Sequence, residues 1–237
     1  MSSPALGLLA AFFLLVANLV FLAFRGRALL TRYLPRESFS SLTLVWGTTM
    51  VGAFTFYLSR FSSSLPPGGW GGEYTSGSVI AAGVTLMSLG WINLLIDART
   101  RLLPDEITAL MAGETLLIVV LTPTLVPVQP HWFAAIVASA LVWIAPLLGG
   151  WRLRQVGLGD VKLAPVLGAL VATTSFTLSL LGLLLAFLFA AVHALLLRAR
   201  GASKGSRFAL GPHLLVAAFL CWAGGVSGPF LLGASGL

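Results

Sequence analysis

The sequence predicts an all-α polytopic membrane protein with about eight transmembrane helices and its N-terminus outside. Three observations carry that expectation. Of 237 residues, 58% are hydrophobic and 9% charged, and the mean hydropathy is +0.99; a soluble domain carries roughly 25% charged residues. Apolar runs of about 20 residues recur along the whole length, enough to cross ~30 Å of hydrocarbon. The basic residues fall in short clusters between those runs, the habit of cytoplasmic loops. No polar stretch is long enough to fold separately, so residues 1–237 read as one integral membrane domain.

Met1-Ser2-Ser3-Pro4 lacks the positive charge of a signal peptide, so Ala5 to Phe24 is a first span. Arg25, Arg27, Arg32 and Arg36 close it, and residues 25–40 are expected to form a short interfacial helix. Leu42 to Leu58 is the second span, ending at Arg60. Residues 61–76, rich in Gly, Pro and Ser, are a loop, with Trp70 and Tyr74 suited to the interface. Val79 to Ile96 is the third span and delivers Asp97.

Leu103-Pro104 breaks the chain, and Asp105 suits the N-cap of the next helix, with Glu106 near its positive end. Ile107 to Val126 is the fourth span and Trp132 to Leu148 the fifth, closed by Gly149-Gly150. Val161 to Ala172 is a short sixth span that must sit buried among its neighbours or thin the bilayer. Thr173-Thr174-Ser175 separates it from Leu178 to Leu197, the seventh. The last runs from about Phe208 to Trp222, with an apolar, glycine-rich tail.

With eight spans and the N-terminus outside, 13 of the 14 Lys and Arg fall in cytoplasmic loops, and only Arg60 falls outside. Joining 161–197 into one span would put the cluster of Arg198, Arg200, Lys204 and Arg207 on the wrong side. Eight spans also bring Asp97 and Asp160 to the same, cytoplasmic, face. The net charge of +7 therefore reflects orientation and contact with membrane lipid, and no nucleic-acid partner is expected. The single cysteine, Cys221, lies in an apolar run, and no CxxC pair exists to hold zinc.

Only seven residues are acidic, and four of them, Asp97, Asp105, Glu106 and Asp160, lie in two short stretches at the ends of apolar runs. Two carboxylates within hydrogen-bonding reach titrate as a unit, one holding a proton while the other stays charged. Such a pair can activate water and polarise a carbonyl. No His/Cys/Glu cluster supplies a metal site and no Gly-x-Ser-x-Gly supplies a nucleophile elbow, so no cofactor is expected. Glycines at 157 and 159 beside Asp160 permit unusual φ angles and close approach of a substrate backbone.

The two stretches are Ile96-Asp97, Leu103-Pro104-Asp105 and Thr108, then Gly157-Leu158-Gly159-Asp160-Val161-Lys162-Leu163. Together they closely resemble the type IV prepilin peptidases, polytopic GxGD aspartyl proteases of prokaryotic inner or plasma membranes. Phe208-Ala209-Leu210-Gly211-Pro212 is a weaker third match, to the family's Phe-Gly-Pro before its last span. The resemblance covers about residues 90–215. It implies removal of a short basic leader from prepilins or pseudopilins, after a glycine, at the cytoplasmic face of the membrane. It places the two catalytic aspartates on Asp97 and Asp160. Pro104, Gly157, Gly159, Lys162, Gly211 and Pro212 are then the loop and substrate-proximal positions. Asp105 aligns with a non-catalytic family position.

One departure is plain. Better-known members carry a zinc-binding cytoplasmic domain with paired CxxC motifs between the first two spans, and also N-methylate the trimmed product. Here that loop is about 16 residues without cysteine, so this is a short form without zinc, and methyltransferase activity is not expected.

Rival readings have discriminating features. A presenilin or signal-peptide-peptidase type would have Tyr where Ile96 stands and Pro-Ala-Leu in the last span; a preflagellin-type substrate is compatible with the same motifs. A proton-coupled transporter would keep its acids near the midplane and show repeats. A non-catalytic assembly scaffold would tolerate loss of Asp160. Arg99, Arg101 and Lys162 are orientation charges on the simplest reading. Glu114, two turns inside the fourth span, is an intramembrane acid and so a candidate for function. Substrate, an internal water, His193 and His213 are its candidate partners.

Overall fold

The computed structural model describes residues 3–33, 47, 76–125, 128, 130–201 and 209–233. Among these the chain is all helical. α1 (Ser3–Phe21) passes through a π-helical turn, Leu22–Gly26, into α2 (Arg27–Tyr33). The helix expected after Phe24 is thus a continuation of the first span with no break between them. A single π turn widens the helix locally without losing its hydrogen bonding. The second span and the loop as far as Thr75 lie outside the described residues, position 47 apart. So do Arg36, Arg60, Lys204, Arg207 and Phe208.

α3 (Ser76–Thr100), α4 (Asp105–Leu125), α5 (Trp132–Arg152), α6 (Leu158–Ala172), α7 (Phe176–Ala199) and α8 (Gly211–Gly233) follow. Four stretches are long and apolar enough to cross a membrane: Gly77–Thr100, Asp105–Thr124, Trp132–Arg152 and Phe176–Ala199; Ala11–Gly26 and Gly211–Val226 are shorter apolar helices.

Several boundaries differ from expectation for local reasons. α3 runs one turn past Ile96, so Asp97 lies inside its last turn. Arg101, at φ 58°, then reverses the chain, its N–H donating to the Asp97 carbonyl at 2.8 Å. That left-handed residue is the usual device for ending a helix, here without glycine. α5 continues through Gly149-Gly150 to Arg152 and closes the same way at Arg154, φ 58°. Arg154 N–H donates to the Trp151 carbonyl and Gln155 N–H to the Gly150 carbonyl, a Schellman pair. The glycine-rich tail after Trp222 is helical to Gly233.

The break at 173–175 falls where the sequence predicts it. Ser175 caps α7, accepting from the Leu178 N–H at 3.4 Å, and Thr173 and Thr174 turn their hydroxyls onto the Leu170 and Val171 carbonyls.

Two helices form the centre. α3 packs against α1, α4, α6 and α8, and α6 packs against α3, α4, α5, α7 and α8. The short α6 is buried from Asp160 to Ala172 save Lys162 and Pro165, which is how fifteen residues are accommodated. Between helices in lipid, close packing replaces the hydrophobic effect, and tryptophan edges fill glycine notches. Trp143 lies over Gly168 and Gly182, where an added Cβ would approach the ring to 2.8 Å and 3.1 Å. Its indole N–H donates to the Ser179 carbonyl at 3.0 Å. Trp222 fills the notch at Gly83 and donates to the Val79 carbonyl at 3.0 Å. A methyl at Gly168 would overpack this seam, at a cost of about 1–3 kcal/mol.

Candidate active site

The central helices α3 and α6 each present one aspartate, and α8 begins between them. Asp97, in the last turn of α3, is 3% exposed, and Asp160, in the first turn of α6, is 9% exposed. Gly211 opens α8 against both. A Cβ there would collide with the Asp97 carboxylate and lie 3.3 Å from Asp160 Oδ1. Gly211 therefore has to lack a side chain, and the two carboxylates meet around its Cα.

α6 is built to hold Asp160. Its N-cap is Gly157, in an extended conformation at φ −73°, ψ 148°, which puts Asp160 third in the helix. From that position an acidic side chain reaches back to the N-cap backbone, as in a capping box, and an anion is favoured by the helix dipole. Burial pushes the Asp160 carboxyl up from its ordinary value to about 6, against the lowering effect of the Gly157 and Gly211 N–H groups. Asp97 Oδ2 is buried and has no hydrogen-bond partner among the described residues. An orphaned acceptor of this kind needs an explanation, and a shared proton or a reacting water supplies one.

The glycines act by space. Gly157 sits at a φ open to any residue, and the sole glycine at positive φ among the described residues is Gly201. The unusual φ expected for 157 and 159 is therefore absent. Gly159 instead admits Leu103, since an added Cβ would lie 2.9 Å from Leu103 Cβ and 3.3 Å from its Cδ1. The turn containing Leu103 and Pro104 is thereby seated on the first turn of α6.

Asp105 is not the N-cap of α4. The Pro104 carbonyl accepts from the Thr108 N–H at 3.1 Å, so Pro104 holds the cap position and Asp105 stands in the first turn. Asp105 is free of capping duty and accepts from Lys162 Nζ at 2.8 Å, with side-chain exposures of 74% and 47%. Glu106 beside it pairs with Arg32 of α2 at 3.3 Å. At the start of α8, the Leu210 carbonyl accepts from the N–H of both His213 and Leu214. Pro212, lacking an N–H, suits this first turn, and the Gly211 N–H is left facing the carboxylates.

Glu114 is not at this site. At 1.5 Å per residue it lies about 13 Å further along α4 from Asp105. It accepts from Thr85 and Asn18 rather than pairing with His193 or His213. Those two histidines meet each other, Nδ1 to Nε2 at 3.0 Å. Leu103 enters the sequence reading only as part of the motif and the chain break, with no contact to Gly159 expected, and Asn18 is not singled out by it. An asparagine within an apolar run and a Thr-x-x-Ser spacing at 85 and 88 were available as signals for the Glu114 contacts.

The model of the Type IV leader peptidase family matches residues 84–195, a stretch that contains both aspartates and the Leu103–Gly159 contact. Over those residues, just under half of its length, the chain is similar to that family. The match supports a leader-peptidase-like protease, and the several apolar helices accord with a membrane protein. Neither a curated protein nor a solved structure gives a match.

Proposed function

We propose that this chain is a membrane aspartyl endopeptidase that removes the short basic leader of type IV prepilins or pseudopilins, cutting after a glycine. The observation that carries the reading is the convergence of Asp97 and Asp160 on Gly211. Two buried carboxyls so close cannot both ionise easily, and the charge is favoured on Asp160, which has the helix N-terminus and the Gly157 N–H.

Asp160 then takes a proton from water as the water oxygen bonds to the scissile carbonyl carbon. The proton on Asp97 hydrogen-bonds the carbonyl oxygen and stabilises the tetrahedral intermediate. Collapse breaks the C–N bond, and the leaving amine takes up the proton that came from water. Asp160 acts first as base and then as acid while Asp97 keeps its proton, so the pair returns to its starting state and no metal is needed for the step.

The eight-span arrangement supports a dyad at the cytoplasmic face of an inner or plasma membrane, since it keeps 13 of 14 cations on one side. In that reading residues 1–237 are one integral membrane domain, with the N-terminus outside. Prepilin or pseudopilin is the protein partner and lipid the solvent, with no nucleic acid bound and no methyl group transferred.

The test is co-expression with a prepilin bearing a basic leader, comparing the native chain with Asp97→Asn and Asp160→Asn by product mass. Cleavage after glycine in the native chain and loss of more than about 100-fold in each variant are expected. A product heavier by one methyl group would restore the methyltransferase. Equal cleavage by either variant would end the dyad reading.

A further inference from the structure

Inside the bundle, three helices bring four polar side chains together in an otherwise apolar core. Asn18 of α1, Thr85 and Ser88 of α3 and Glu114 of α4 are all buried, at 0%, 0%, 0% and 5% exposure. Ser88 Oγ donates to the Val84 carbonyl at 2.6 Å. Its single proton is thereby used, so it can only accept from Asn18 Nδ2, at 2.8 Å. The same Nδ2 donates to Glu114 Oε2 at 3.3 Å, and Thr85 Oγ1 donates to that oxygen at 2.6 Å. The orientation of the Asn18 amide is thus fixed by its partners, and its carbonyl Oδ1 is left buried with no hydrogen-bond partner.

Both donors converge on one carboxylate oxygen of Glu114. An ionised carboxylate at this depth is costly unless compensated, yet no Lys, Arg or His pairs with Glu114 among the described residues. The unclaimed Asn18 Oδ1, with the other carboxylate oxygen and the lone pairs of the two hydroxyls, is a set of hard oxygen ligands.

We propose that Glu114, Asn18, Thr85 and Ser88 form a binding site for a small monovalent cation, sodium by charge and ligand type. A single carboxylate balances one positive charge. A divalent ion of the calcium class draws on several carboxylates, and magnesium keeps most of its water; neither suits one acid among neutral groups in a packed interior. Bound there, the ion would join α1 to α3 and α4. The proposal does not depend on the peptidase reading, because binding is measured without substrate.

The experiment is thermal unfolding of the purified full chain in detergent. It compares NaCl, KCl and choline chloride at constant total salt and follows Tm as sodium replaces choline. A saturable rise of about 5 °C or more with sodium is expected, with little from potassium. Glu114→Gln should abolish the rise, and Asn18→Ala should move the sodium midpoint about tenfold higher. If Glu114→Gln does not fold, Asn18→Ala alone decides. Equal Tm in sodium and choline would overturn the site in favour of a simply protonated carboxyl. An unchanged sodium response in Glu114→Gln, or an unchanged midpoint in Asn18→Ala, would overturn it in favour of binding elsewhere.

Discussion

Gly159 lies against Leu103 so closely that a methyl on the glycine would sit 2.9 Å from Leu103 Cβ. This contact joins the two sequence stretches that carry the aspartates. The turn leaving α3, just beyond Asp97, is seated on the first turn of α6, which holds Asp160.

Gly159→Ala is therefore expected to overpack the joint, at about 1–3 kcal/mol, and to separate the carboxylates. Cleavage should fall more steeply than protein yield. The nature of the clash dictates the rescue. Leu103→Ala retains the offending Cβ and should recover little, whereas Leu103→Gly removes it and should recover cleavage in the double variant. Product mass and membrane yield for the four chains measure this. Equal recovery by both second changes would place the fault elsewhere.

Gly211→Ala tests the other side of the site. Its methyl would collide with the Asp97 carboxylate and lie 3.3 Å from Asp160 Oδ1, and the first turn of α8 is pinned by bonds to Leu210. Activity should drop by about 100-fold or more, the scale of losing a general acid or base. A Tm close to the native value would separate this loss from misfolding. A chain that cleaves normally would contradict the geometry around Gly211.

The Lys162–Asp105 pair joins α6 to the start of α4, yet its effect should be slight. Both side chains are largely exposed, and exposed ion pairs contribute about 0–1 kcal/mol, less at high salt. Asp105→Asn and Lys162→Met should each keep cleavage within about threefold of native, with the difference shrinking in 0.5 M salt. A hundredfold loss in Lys162→Met would make this lysine part of the reaction.

Much of this was legible in the sequence because lipid imposes strong rules. Long apolar runs and clustered cations locate the helices, and scarce acids locate the site. Asp97, Asp160 and Gly211 were all singled out and come together. Helix ends were less legible, since Arg101 and Arg154 end their helices in a left-handed conformation that glycine usually supplies. A pattern reader places the stop at Ile96 and at Gly149-Gly150 instead. The roles of Gly159 and Glu114 depend on partners 56 and 96 residues away, Leu103 and Asn18. Local spacing marks polar residues within apolar runs but does not say which distant partner each one meets.

Proton linkage gives the last prediction. Burial raises the Asp160 carboxyl to about 6 from 3.8, so between those values the folded chain holds more proton than the unfolded one. Its contribution to stability is fully present below about pH 4 and is lost as pH rises through 6. Asp160→Asn, which stays neutral and can still accept from Gly157, removes that dependence. The variant should have the higher Tm at pH 7, and the gap should close as pH falls toward 4. Cleavage by the native chain should move oppositely, declining below about pH 6 as the second proton binds the pair. Unfolding curves of both chains and a cleavage profile from pH 4 to 8 measure the two trends. A native chain more stable than the variant at pH 7 would mean that the ionised dyad is better compensated than its burial implies.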